Sequence, residues 1–145
     1  MLVDTSVLIA YFEPSDATHA VAVLLIDDFV RNGRNAALVS PVSAMELLVR
    51  PLRVAPQGVA HVHSFLVHTP NLTLLPVDLQ VAQEAASLRA THNFKTPDAL
   101  VIATGIVGQA AHLVTNDADW QKKLAPMHSR IEVTELMNYV SFSTG

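Results

Sequence analysis

The chain has 145 residues, half of them hydrophobic and 15% charged, with a formal net charge of −4 and no cysteine. This composition suits one globular domain spanning residues 1–145 and excludes a disordered chain. The lack of cysteine excludes disulfides, thiolate metal sites and a cysteine nucleophile, and fits a reducing, cytoplasmic setting. Asp4 falls where a signal peptide would be uncharged. Apolar runs such as Ala20 to Ile26 fall far short of the roughly 18 residues that span a bilayer, so a soluble protein with no membrane partner is expected. The acidic balance argues against a nucleic-acid binder, which usually carries a basic footprint. Acids that converge on divalent cations would reverse that local charge and lift the objection.

In chain order, short apolar runs alternate with longer amphipathic ones. Leu2-Val3, Ala36 to Val39, Leu72 to Leu75, His112 to Thr115 and Ile131 to Val133 read as buried strands. Helices are predicted from about Asp16 to Asn32, with Gly33 as C-cap, then Val42 to Val49, Val59 to Val67 and Asp78 to His92. Further helices follow from Pro97 to Gln109, Asp117 to Leu124 and Glu135 to Val140. The segment "PLRVAPQGVAHVH" looks like a helix–turn–helix excursion, and Gly58, Gly105 and Gly108 read as weaker punctuation. The alternation implies a parallel sheet covered by helices on both faces, a three-layer α/β/α domain with about five strands. Sites in such folds lie beyond the carboxyl ends of the strands.

Asp4 ends the first strand and Asp117 the fourth, with Asp119 two residues on. Asp98 falls in the first turn of a helix that Thr96 would cap and Pro97 would open. Each Asp can be explained by capping alone. Glu46 resists that reading, because it sits mid-helix beside Met45, Leu47, Leu48 and Val49; its plain reading is a solvent-facing position. Taken together, the four acids could share one small volume, where a hard cation such as Mg²⁺ or Mn²⁺ would offset their repulsion and the burial of Asp4. Thr5 and Ser6 can cap the first helix or bond the carboxylates, and Thr115 and Asn116 can do the same at the fourth strand's end. Lys95 is a candidate phosphate or carboxylate contact. His61 and His63 point apart on a helix and read as exposed, and Trp120 reads as a packing anchor.

Four pieces, "VDTSVLIAYF", "SPVSAMELL", "KTPDALVIATG" and "LVTNDADW", together carry a resemblance that covers essentially the whole chain. The sequence resembles PIN-domain ribonucleases and, among them, the VapC-type toxins of toxin–antitoxin modules. The resemblance implies a five-stranded parallel sheet, with Asp4, Glu46, Asp98 and Asp117 as the acidic quartet and Asp4, Asp98 and Asp117 as metal ligands. Asp119 matches a further acid, and Ser6 and Thr115 match supporting polar positions. The implied activity is Mg²⁺- or Mn²⁺-dependent endonucleolytic cleavage of RNA, leaving 5′-phosphate and 3′-hydroxyl ends. The implied partners are RNA, a second copy of the chain and a small antitoxin whose tail covers the acids. Only Met1, Leu2 and Val3 precede Asp4, which implies a short central strand or a start site placed late. RNA affinity would have to come from Arg31, Arg34, Arg50, Arg53, Arg89, Lys95, Lys122 and Lys123.

Other readings fit less well. A phosphoacceptor receiver domain would need paired acids after the first strand and a lysine after the last; Asp4 stands alone and Ile131 to Thr134 has no lysine. A dehalogenase-type phosphatase would need an acid where Ser6 stands, and a dinucleotide site would need a G-x-G-x-x-G that is absent. A catalytically silent PIN scaffold used for binding is the remaining rival.

Overall fold

The computed structural model describes residues 1–143. Five parallel strands, β1 (Leu2–Val3), β2 (Ala37–Val39), β3 (Leu72–Leu74), β4 (His112–Thr115) and β5 (Glu132–Glu135), form one sheet in the order β3-β2-β1-β4-β5. The helices are α1 (Thr5–Phe12), α2 (His19–Val23), α3 (Pro41–Val54), α4 (Gln57–His68), α5 (Leu79–His92), α6 (Thr96–Val107), α7 (Asp119–Lys123) and α8 (Leu136–Ser143). This is the α/β architecture expected from the sequence.

The period-two alternation of strands sends neighbouring residues to opposite faces. Val3 and Val114 enter a core shared with α1, the α2 segment, α3, α4 and α8, whereas Leu2 and Leu113 enter a second core with α5, α6 and α7. All four are fully buried, and each such side chain contributes roughly 1.5–3 kcal/mol of burial. The sheet is therefore sandwiched, and β1, although only two residues long, lies at its centre.

Several elements depart from their predicted bounds. The first helix begins directly after β1 at Thr5, one of the two hydroxyl residues expected to cap it, and runs to Phe12, bounds that the sequence left open. Its burial on most sides removes the amphipathic stripe that would have marked it. The next helix starts at His19 rather than Asp16, because residues 16–18 form a turn closed by the Asp16 carboxylate. It then passes into π-helical pairing over Leu24–Val30, with the Arg31 N–H reaching the Ile26 carbonyl. Gly33 follows with φ +78°, the left-handed geometry expected of a helix-ending glycine.

Helix α3 runs on through Pro51 to Val54, past the Val49 limit read from the sequence. The Ala55 N–H closes its last turn on the Pro51 carbonyl, and α4 begins two residues later, which gives the expected helix–turn–helix excursion. Gly58 lies inside α4 and Gly105 inside α6, so neither interrupts a helix. At Gly105 a Cβ would stand 2.7 Å from Ile131 Cδ1 and 3.0 Å from Leu2 Cδ2; the glycine lets α6 approach β1 closely.

Candidate active site

The sheet order reverses between β1 and β4. The chain builds outward from β1 through β2 to β3, then returns to the other side of β1 to add β4 and β5. Ligand sites in open parallel sheets form at this switch point, beyond the carboxyl ends of the strands. The register pairs Leu2 with Leu113 and Val3 with Val114, and the Asp4 N–H donates to the Val114 carbonyl at 3.0 Å. Asp4 and Thr115 therefore leave the sheet side by side.

Asp4 is 6% exposed and occupies the N-cap position of α1, yet its side chain does not cap the helix. Its Oδ2 accepts the Thr115 hydroxyl at 2.8 Å and the Ser6 hydroxyl at 2.9 Å. No donor among the described residues meets Oδ1. Capping thus fails to explain Asp4, and Thr5 and Ser6 stand as the first helical residues rather than as caps. The two hydroxyls lie 3.2 Å apart and also accept backbone N–H groups, Asn116 on Ser6 and Asp117 on Thr115, each at 2.9 Å. The turn after β4 is thereby locked onto α1.

Ala118, not Asp117, holds the N-cap position of α7, but the Asp117 Oδ1 accepts the Asp119 N–H at 2.9 Å in the turn that leads into the helix. Asp117 and Asp119 are both exposed. Glu46 is exposed, as its position in the sequence suggested, but it is not idle; the Thr5 hydroxyl donates to its Oε2 at 2.6 Å, beside Asp4. Asp98 lies in the first turn of α6, whose N-cap is Lys95 rather than Thr96. Its carboxylate does not cap the helix but faces Lys123 Nζ of α7 at 3.3 Å.

These contacts join Asp4, Ser6, Thr115 and the Asp117 backbone directly, Glu46 through Thr5, and Asp98 through α7. Among the described residues no group of three or more His, Asp or Glu stands at metal-binding distance, so the acids line one edge rather than form a closed cage. The donor set is oxygen throughout, with a buried carboxylate that presents one oxygen unmet by any donor; such a set fits a hard divalent cation.

A second network supports the edge. The Asn116 side-chain amide donates to the Thr18 hydroxyl at 2.8 Å, and that hydroxyl and the Thr18 N–H both donate to Asp16 Oδ1 at 2.7 Å. The Thr18 backbone N–H, followed by its hydroxyl, holds the Asp16 carboxyl below the usual aspartate value. Nothing in the local sequence marks Asp16 and Thr18 for this role, because the bond from Asn116 to Thr18 spans 98 positions. Lys123 was also missed as a specific contact, whereas Lys95 is exposed with no carboxylate at ion-pair distance among the described residues. His61 and His63 are exposed and Trp120 is buried, as expected. Beyond Glu46 a groove of about 500 Å³ opens between α1, α3 and α4, lined by Ile9, Phe12, Leu47, Val54 and Val62, with Arg50 paired to Glu13 at its rim.

The PIN domain family model matches residues 1–125. This chain belongs to the PIN domain family. PIN domains are generally nucleases, which accords with acids gathered at a switch point. No curated protein matches the chain. Among solved structures, the PIN domain is similar to a chain of a toxin–antitoxin complex from Klebsiella pneumoniae, with a TM-score of 0.67 and 20% identity, covering 93% of this chain and 96% of that one. It is also similar to VapC20 from Mycobacterium tuberculosis, a toxin that cleaves the sarcin–ricin loop (TM-score 0.66, 18% identity, 91% and 97% covered). A third likeness is to DNA-bound VapBC from Salmonella typhimurium (TM-score 0.66, 18% identity, 93% and 96% covered). At these identities the likeness shows a shared fold. Among the described residues of the PIN domain no helix is long and apolar enough to cross a membrane.

Proposed function

We propose that this PIN domain is a divalent-cation-dependent endoribonuclease, the toxin of a VapBC-type toxin–antitoxin pair acting in the cytoplasm. The observation that carries the reading is Asp4: a buried carboxylate at the β1–β4 switch point, oriented by two hydroxyls instead of capping its helix. Asp4, Glu46, Asp98 and Asp117 are the proposed catalytic acids, and Asp4, Asp98 and Asp117 would hold Mg²⁺ or Mn²⁺. When bound, such a cation supplies an acidified water as nucleophile and neutralises charge on the phosphodiester.

The chain's own residues do the rest. Ser6 and Thr115 donate to Asp4 Oδ2, which fixes the orientation of the carboxylate and leaves Oδ1 available. Thr5 holds Glu46 at the side of the site, and Asp119 extends the acidic edge from α7. Of the basic residues, Arg31 and Arg50 are paired with Asp27 and Glu13, so phosphate contacts fall to groups such as Lys95, Lys122 and Arg53, which have no ion-pair partner among the described residues. The apolar groove that opens from Glu46 supports an antitoxin segment as partner, and exposed Leu52, Val54 and Leu79 support a homodimer.

The test incubates the purified chain with total RNA in Mg²⁺, in Mn²⁺ and in chelator, with Asp98→Asn alongside. Discrete fragments that require the cation and vanish in the variant are expected. Folded, cation-binding wild type that leaves every RNA intact would instead favour a silent scaffold, and equal cleavage by the variant would refute the site.

A further inference from the structure

Among the described residues, Asp98 is the one acid of the site that stands within ion-pair distance of a cationic side chain. Lys123 Nζ lies 3.3 Å from its Oδ2. A second contact holds the same ammonium, 5.0 Å from the centroid of the Trp120 ring. That ring is 5% exposed and so fixed in the core, and the Leu124 N–H bonds the Trp120 carbonyl at 2.9 Å, which orders the turn that carries Lys123. Lys122, the adjacent residue, has no ion-pair partner among the described residues.

The helix that presents Lys123 also begins on Asp117, whose Oδ1 accepts the Asp119 N–H at 2.9 Å. One five-residue element thus touches two acids of the site, donating a backbone N–H to one and placing a positive charge on the other. An ammonium held against a carboxylate repels a divalent cation that approaches the same group, so the two compete for Asp98. The lysine is a single charge on a flexible stem, 40% exposed, and can swing away at small cost; a divalent cation carries twice the charge.

We propose that Lys123 is an internal counter-cation of the acidic site: it holds Asp98 until a divalent cation displaces it, and so raises the cation concentration at which the site fills. The proposal rests on the nuclease reading above. It makes Lys123 a residue that tunes occupancy, acting through Asp98 rather than on substrate.

The test is a Mn²⁺ titration of the RNA-free full chain, by calorimetry and by the paramagnetic signal of free Mn²⁺. It compares wild type, Lys123→Met, Lys123→Arg and Lys122→Met. Lys123→Met keeps an apolar stem over Trp120 and should bind Mn²⁺ roughly two- to fivefold tighter, the range that a partly exposed ion pair supports. Lys123→Arg should stay near wild type, and Lys122→Met, with the same loss of charge, should move less. In an Asp98→Asn background the Lys123→Met effect should disappear. The fluorescence of the single tryptophan and a melting curve check the fold, and Lys123→Gln takes the comparison if the Met variant does not fold. Equal affinity of wild type and Lys123→Met, or an equal gain in Lys122→Met, overturns the proposal while the nuclease reading stands. Absence of Mn²⁺ binding in both wild type and Lys123→Met overturns both.

Discussion

Replacing Thr115 with valine isolates the support given to Asp4. The two side chains have nearly the same shape, so the substitution exchanges a hydroxyl for a methyl without opening a cavity. Thr115 is 1% exposed, and its hydroxyl donates to Asp4 Oδ2 at 2.8 Å while accepting the Asp117 N–H at 2.9 Å. A hydrogen bond to an ionised group contributes about 1.5–3 kcal/mol, and the part-buried Asp117 N–H loses its acceptor as well, so a total loss of about 2–3.5 kcal/mol is expected. For a domain of this size that corresponds to a fall in Tm of roughly 6–14 °C. Urea denaturation followed by circular dichroism reads the free energy, and an unchanged slope would place the effect in the folded state. In an Asp4→Asn background most of the loss should vanish, since the charged acceptor is gone. A loss below about 1 kcal/mol, or one that persists undiminished beside Asp4→Asn, would refute the view that Thr115 acts on Asp4.

Three further outcomes follow from the geometry. Gly105→Ala should destabilise by about 1–2 kcal/mol, because crowding against fully buried Leu2 and Ile131 outweighs the roughly 1 kcal/mol that alanine gains in a helix; a rise in Tm would contradict that packing. Trp120→Ala should cost about 3–5 kcal/mol and free the α7 turn, visible as lost hydrogen-exchange protection at Leu124; protection equal to wild type would count against Trp120 as its anchor. Asp16, whose carboxyl is held below its ordinary value of 3.8, contributes stability that is fully present above that pH and is lost as pH falls through the lower folded value. Carboxyl ¹³C shifts should place its titration below 3.8, and Asp16→Asn should flatten the acid limb of the stability profile; a midpoint at or above 3.8 would contradict the Thr18 contacts.

The sequence exposed those features that depend on residue type and local period. Five short apolar runs marked all five strands, and acids just past β1 and β4 marked the edge on which the proposed site stands. What escaped were features set by tertiary contact. Helix α1 lies buried on most sides and shows no stripe. Pro51 would ordinarily end a helix, but the turn beyond it is closed by its own carbonyl. Capping failed to explain Asp4, whose side chain turns instead to Thr115, 111 positions away. Lys123 looked like one cation among many until α7 placed it against Asp98.

That separation also shapes how the protein is made. Asp4 has Ser6 beside it in the chain, but its second hydroxyl partner, Thr115, is made 111 residues later, when β4 is complete. At roughly 5–20 residues per second, the ribosome needs about 5–20 s to cover the interval. On the proposed reading, the edge that would cut RNA stays incomplete over that interval and closes only once the strand carrying Thr115 has been made.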